Sequence, residues 1–293
     1  LVRRAGGFTL TSGSGIHGIF TARLDSSGTF LWAKQAGGAD GNDNGLGAAV
    51  NPPGVDGLGN IYVTGNISGT ALFENTTLSS YGSFDIFLAK YDSTGALLWV
   101  RQAGGTGTDF GNAIAMDDSG NVYVSGTFSA AAAFGNDTVI SAGGTDVFVT
   151  RYNSSGAVQW VQQAGGAGND ECRGLAVDAS GKNIYLSGRI NSPAFFGSYL
   201  LNANSGTDEI FIASLHYGAP DVFIPLDFTL EPAPSSFVFN VNWGQLLDTD
   251  GNPRPDILLY NTTSSPATYM RDNGVSYVFS RVDTVASTPD TLY

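Results

Sequence analysis

The sequence predicts an all-β fold, a β-propeller of about four blades, each a four-stranded antiparallel sheet. Three observations predict it. A long motif recurs: "LDSSGTFLWAKQAGG" at 24–38, "YDSTGALLWVRQAGG" at 91–105 and "YNSSGAVQWVQQAGG" at 152–166. The segments inside each copy alternate apolar and polar residues with a period of two, and no stretch carries a helical period. Turn signals built on Asp, Asn, Ser and Gly punctuate the chain at short intervals. Repetition of a few short strands on this scale is the signature of stacked blades, because one such unit cannot bury both of its faces alone.

Each unit opens on an alternating strand: "GIFTARLD" (18–25), "DIFLAKYD" (85–92) and "DVFVTRYN" (146–153), with an altered fourth copy, "EIFIASLH" (209–216). A Ser/Thr-Gly turn follows, in which Asp or Asn can bond its own backbone and Gly takes a positive φ. The next strand carries Trp32, Trp99 or Trp160, at intervals of 67 and 61 residues, and ends on Ala-Gly-Gly. These tryptophans are expected to pack between blades. A strand of small residues comes next: "GAAV" (47–50), "AIAM" (113–116) and "GLAV" (174–177). Small side chains suit a crowded inner strand. The unit closes through "DGLGNIYVTG" (56–65), "DDSGNVYVSG" (117–126) or "DASGKNIYLSG" (178–188); the first copy carries five extra residues around "NPPGV".

The pattern D-x-F-x-x-x-Y-D-x-x-G-x-x-x-W-x-x-x-A-G-G, followed by D-x-x-G-N-x-Y-V-x-G, resembles the SBBP β-propeller repeat family of bacteria over about residues 18–217. That resemblance implies a propeller that is secreted or attached to the cell surface, and it implies no particular activity. Residues 8–20 are similar to 75–87, so the chain opens on the last strand of a unit. That strand either closes the ring against the C-terminal blade or marks an incomplete piece of a larger ring. Closure removes sheet edges.

Three regions are expected: propeller blades over 1–217, a Pro-containing connection over 218–236, and a divergent blade over 237–293. Residues 237–284 resemble an FG-GAP or VCBS blade, carried by "DTDGNPRPD" at 248–256. Asp248, Asp250 and Asn252 alternate, Gly251 permits the bend, Arg254 offers a backbone carbonyl, and Asp256 stands ninth. Hard oxygen donors in this number suit a structural Ca2+ ion. Leu259 occupies the twelfth position, so this is no EF-hand.

Composition narrows the function. Net charge is −13, with 13 Lys plus Arg against 26 Asp plus Glu, which disfavours nucleic acid and anionic membranes as partners. No apolar run reaches the roughly 18 residues of a membrane span. His17 and His216 form no zinc spacing, and the single Cys172 reads as a buried thiol.

Two acid sets recur. Asp43, Asp109 and Asp170 precede the small-residue strand, while Asp85, Asp146 and Asp208 or Glu209 open the first strand. A carboxylate ring at a propeller mouth can serve acid–base chemistry. A role repeated in every blade points instead to capping of backbone N–H groups, so no catalytic residue is assigned. The expected function is a non-enzymatic, secreted or surface-displayed binding or adhesion module for a glycan or protein. The alternatives are a subunit that self-associates into a surface polymer through its N-terminal strand, and a polysaccharide hydrolase or lyase.

Overall fold

The computed structural model describes residues 2–5, 7–11, 18–38, 42–50, 59–203, 207–216, 222–226, 242–247 and 253–258. The chain divides into two compact units, Leu1–Phe228 and Thr229–Tyr293.

The first unit is all antiparallel strands. It opens with the hairpin β1 (Val2–Ala5) and β2 (Phe8–Thr11), which pair with each other. Next come β3 (Ile19–Leu24) and β4 (Phe30–Gly37), then β5 (Asn44–Val50), β6 (Ile61–Ile67), the short hairpin β7 (Thr70–Phe73) and β8 (Thr76–Ser79), β9 (Asp85–Tyr91) and β10 (Leu97–Gly105). The pattern repeats with β11 (Phe110–Met116), β12 (Val122–Phe134), β13 (Asp137–Tyr152) and β14 (Val158–Gly166). It repeats again with β15 (Glu171–Val177), β16 (Asn183–Ile190), the hairpin β17 (Ala194–Phe196) and β18 (Tyr199–Leu201), β19 (Glu209–His216) and β20 (Val222–Leu226).

Three four-stranded sheets result, in the orders β5-β6-β9-β10, β11-β12-β13-β14 and β15-β16-β19-β20. β3 and β4 form half of a fourth. The altered copy "EIFIASLH" is thus a full member of a sheet, and its last strand, β20, lies within the segment read from sequence as a connection. No ring closes among the described residues. β1 and β2 pair with neither the β15–β20 sheet nor any other described strand.

Each repeat carries more strands than the four expected. The hairpin β7–β8 sits between β6 and β9 but pairs with the outermost strand of the preceding sheet, through Ala36↔Phe73 and Gly37↔Leu72. The ends of β12 and β13 do the same for β10, and β17 does so for β14. Neighbouring sheets are therefore joined edge to edge. These hairpins are short, and "TTLS" offers no apolar alternation, so the sequence pattern hides them.

Successive residues of a strand point to opposite faces, and in these sheets both faces are covered. On β9, Ile86 and Leu88 enter the core shared with the following sheet, which includes Val124 and Phe128. Phe87, Ala89 and Tyr91 enter the core shared with the preceding strands, which includes Ile19 and Trp32. The third core, with Val147, Ile184, Phe196 and Phe211, lies between the last two sheets. Each core thus belongs to a junction between sheets. The tryptophans pack there as expected: Trp32 is 8% exposed and donates its indole N–H to the Ser93 carbonyl of the next sheet at 3.0 Å.

In the second unit β21 (Asn242–Leu247) pairs with β22 (Pro253–Leu258), from Leu247↔Pro253 to Asn242↔Leu258. The pairing runs up to Leu247 and Pro253, the residues that flank the expected calcium loop's first five positions.

Candidate functional site

The repeated acids converge on the ends of the sheets. Asp109 follows β10, and its two oxygens accept from the backbone N–H of Gly105 at 2.8 Å and of Ser129 at 3.1 Å. Asp43 accepts from Gly38 and Ser68 at 2.8 and 3.0 Å. Asp170 accepts from Gly166 and Asn191 at 2.7 and 3.0 Å. In each case one donor lies at the end of the outer strand of the preceding sheet, and the other lies just past the second strand of the aspartate's own sheet (Ser68, Asn191) or at the register shift within it (Ser129). The carboxylate is a clasp between blades. All three side chains are fully buried.

The second set stands beside the first. Asp85 accepts from Tyr81 N–H at 3.0 Å and from the Gln102 amide at 2.6 Å, and Asp146 accepts from Ala142 N–H at 2.7 Å. Among the described residues the Oδ1 atoms of Asp85 and Asp146 have no hydrogen-bond partner. Gly104 explains the recurring Ala-Gly-Gly. It has φ +135°, and a Cβ there would lie 2.8 Å from Asp109 Oδ2 and 3.2 Å from Asp85 Oδ1. Burial, reinforced by Asp85, pushes the Asp109 carboxyl up to about 6. Burial, reinforced by Asp170, does the same to Asp146, also to about 6. Asp43, Asp85 and Asp170 are raised by burial as well.

These groups are placed for capping. Oxygens held by backbone N–H groups are poorly placed to take a proton from a substrate. Cys172 is equally enclosed. It is fully buried, its thiol lies 3.4 Å from Ser125 Oγ, and burial pushes it up to about 11. His216 Nδ1 bonds the Asn183 side chain at 2.7 Å, and His17 lies outside the described residues.

Where the repeats disagree, the sheet ends differ in chemistry. Asn44, Phe110 and Glu171 occupy one repeat position, and Leu46, Asn112 and Arg173 another. The second position is a β-bulge in all three sheets, between Gly45/Gly47, Gly111/Ala113 and Cys172/Gly174. At one junction Phe84 and Phe110 stack with centroids 5.2 Å apart. At the corresponding end of the last sheet, Glu171 bonds both Arg173 and Arg189, and Arg189 also bonds Asp208, which Asn191 holds at 2.8 Å. The Arg173 side chain is 68% exposed. Sequence reasoning did not select this polar network. The available signal was disagreement between aligned repeats rather than agreement.

Of the expected calcium ligands, Asp248, Asp250 and Asn252 lie outside the described residues. Arg254 and Asp256 lie on β22, in register with Leu246 and Gly244. Residues 248–252 are the five that join β21 to β22. Among the described residues no group of three or more His, Cys, Asp or Glu is arranged to hold a metal ion, and no helix is long and apolar enough to cross a membrane.

Blades of antiparallel strands joined through their ends define the class, a β-propeller repeat protein. The model of the SBBP family, a β-propeller repeat, matches residues 98–127 and 159–193. The chain is similar to the regulatory protein FlaEY of Caulobacter vibrioides, 35% identical over 141 residues, which are 46% of this chain and 15% of that protein. It is also similar to an uncharacterized WD repeat-containing protein of Acanthamoeba polyphaga mimivirus, 29% identical over 160 residues, 48% of this chain and 11% of that one. The matched region is thus a small fraction of each relative.

Proposed function

We propose that this chain is a non-catalytic binding module, displayed outside a bacterial cell, that presents the varied ends of its blades to a glycan or protein ligand. One observation carries the reading. Asp43, Asp109 and Asp170 have both oxygens held by backbone N–H groups, while Arg173, Arg189 and Asp208 are exposed and form with Glu171 a polar network found at one sheet end among the described residues. Binding surfaces are carried on varied segments of a rigid scaffold. Two guanidinium groups balanced by two carboxylates offer directional hydrogen bonds without net charge. The test is a glycan and protein array probed with the full chain. Binding is expected, and it should be lost in the Arg173→Ala/Arg189→Ala double variant without a change in melting temperature. Cleavage of a polysaccharide that depends on Asp109 would overturn the reading.

The loop 248–256 is proposed to hold one structural Ca2+ ion. The register of β21 and β22 supports it, since Leu247 pairs with Pro253 and Asp256 lies within β22. Asp248, Asp250, Asn252, the Arg254 carbonyl and Asp256 would be the ligands, and the ion would supply charge neutralisation and cross-linking.

A further inference from the structure

The two acid sets differ in what they leave unsatisfied. Asp109 and Asp170 have both oxygens bonded, to Gly105 and Ser129 and to Gly166 and Asn191. Asp85 and Asp146 use Oδ2 alone: Asp85 accepts there from Tyr81 and Gln102, and Asp146 from Ala142. Their Oδ1 atoms are shut away from solvent and bare among the described residues, in side chains only 0% and 1% exposed. A buried ionised oxygen without a donor is strongly destabilising. The bare oxygen of Asp85 faces the other acid. The point where a Cβ of Gly104 would stand is 3.2 Å from Asp85 Oδ1 and 2.8 Å from Asp109 Oδ2. The equivalent point at Gly165 is 2.5 Å from Asp146 Oδ1. Each pair spans a junction: Asp85 opens β9 of one sheet and Asp109 precedes β11 of the next, and Asp146 on β13 stands likewise to Asp170 before β15.

The charges on the surrounding strands are engaged elsewhere. Around the first pair, Lys90 and Arg101 bond the carbonyls of Ser154, Ser155 and Gly156, and Arg151 lies over the Tyr123 ring. Asp137 and Tyr81 are exposed, and Tyr91, Tyr123 and Tyr152 stand away from the acids along their strands. Beside the second pair, Glu171, Arg173, Arg189 and Asp208 bond one another, Glu209 opens β19, Tyr199 sits at a hairpin tip, and Tyr185 and His216 lie at the far end of the sheet. The first junction lacks the second acid. Gly18 stands where Asp85 and Asp146 stand, and Asp43 alone holds the N–H groups of Gly38 and Ser68.

We propose that the Asp85–Asp109 and Asp146–Asp170 pairs each hold one shared proton, which bonds Asp85 Oδ1 to Asp109 and Asp146 Oδ1 to Asp170 and so latches one sheet to the next. With the proton in place a junction carries one negative charge and no bare oxygen. Without it two buried carboxylates repel. The members of a pair titrate as a unit. Burial, with the neighbouring acid adding to it, pushes Asp109 and Asp146 up to about 6, and burial raises Asp85 and Asp170 as well. Folded values above the ordinary 3.8 mean that the latch is complete in acid and is lost as pH rises through about 6. Two junctions of the chain therefore tighten at low pH by a means that the Asp43 junction does not have.

The experiment reads amide exchange of the full chain between pH 5 and 8, with each rate corrected for its intrinsic dependence on pH. Protection of the Gly105 and Ser129 amides, which Asp109 holds, should fall about tenfold across this range, and protection of Gly38 and Ser68, which Asp43 holds, should fall less. Asp85→Asn puts an amide donor where the proton would be, while its oxygen still accepts from Tyr81 and Gln102. It should abolish the fall at Gly105 and Ser129 and leave them better protected than in the wild type at pH 8. Equal falls at the two junctions of the wild type overturn the proposal, and this comparison decides alone if the variant does not fold. A folded Asp85→Asn chain that still loosens with pH, or that gains no protection at pH 8, overturns it too. Millimolar Ca2+ or Mg2+ that restores wild-type protection at pH 8 assigns the bridge to a cation instead of a proton, and likewise overturns it.

Discussion

Trp32 lies on Gly95 of the next sheet, so closely that a Cβ at Gly95 would stand 2.8 Å from the indole Cδ2. Trp99 treats Gly156 the same way at 3.1 Å, while a Cβ at the corresponding Gly28 would meet nothing within 4 Å among the described residues. All three glycines have a positive φ, +83° at Gly28, +86° at Gly95 and +80° at Gly156. Gly28→Ala should therefore cost only backbone strain, about 1 kcal/mol. Gly95→Ala adds an overpacked indole and should cost about 2–4 kcal/mol. Chemical denaturation of the two variants checks this, and equal losses would show that Trp32 can yield.

Asp109 and Asp146 set a pH dependence. Their folded values of about 6 lie above the ordinary 3.8, so the fold binds their protons more tightly than the unfolded chain does. Their contribution is greatest below about pH 4, declines as pH rises toward 6, and is flat above that, with about 1–3 kcal/mol per carboxyl at stake. Asp25 and Asp92 act in the opposite direction. Hydrogen bonds led by Ser27 and Thr94 hold them low, and their support is lost as pH falls below the usual carboxylate range. Asp109→Asn should flatten the first component. It should also cost about 1–3 kcal/mol, because an amide nitrogen replaces one of the two oxygens that accept from Gly105 and Ser129. Melting temperatures of wild type and variant between pH 4 and 7.5 measure both effects.

Cys172 should react with thiol reagents only when the chain unfolds, since it is fully buried and its thiol is pushed up to about 11. Labelling with an aromatic disulfide, with and without denaturant, reads this directly. Rapid labelling of the native chain would place the thiol at the surface.

Excess chelator should lower the melting of the second unit, and millimolar Ca2+ should restore it. Occupancy at a hundredfold over Kd is worth about 2.7 kcal/mol. Asp250→Ala should erase the difference. A wild-type melt that ignores both conditions would remove the ion from the account.

The sequence announced the strands whose apolar residues alternate, although β9 is buried on both of its faces. "DIFLAKYD" and its copies became β9, β13 and β19, and the "WVRQAGG" motif became the outer strands. It also favoured capping by Asp43, Asp109 and Asp170, because repetition signals structure. It concealed the hairpins such as β7–β8, which are short and which pair with a strand distant in sequence, β4. The network around Arg189 was equally hidden. Glu171 and Asp208 are 18 and 19 positions away, and only the pairing of β15, β16 and β19 brings them to one end.

Because β7 bonds to β4, the seams of the chain and the seams of the sheets do not coincide. A length of sequence that codes one blade also codes the strap that fastens the blade before it. Excising only part of such a length leaves a strap without its anchor or an anchor without its strap. Lengthening is simpler, since a whole added copy brings both halves of the new joint. The protein is thus built to grow or shrink in units of one repeat, like overlapping roof tiles, each of which holds down the edge of its neighbour.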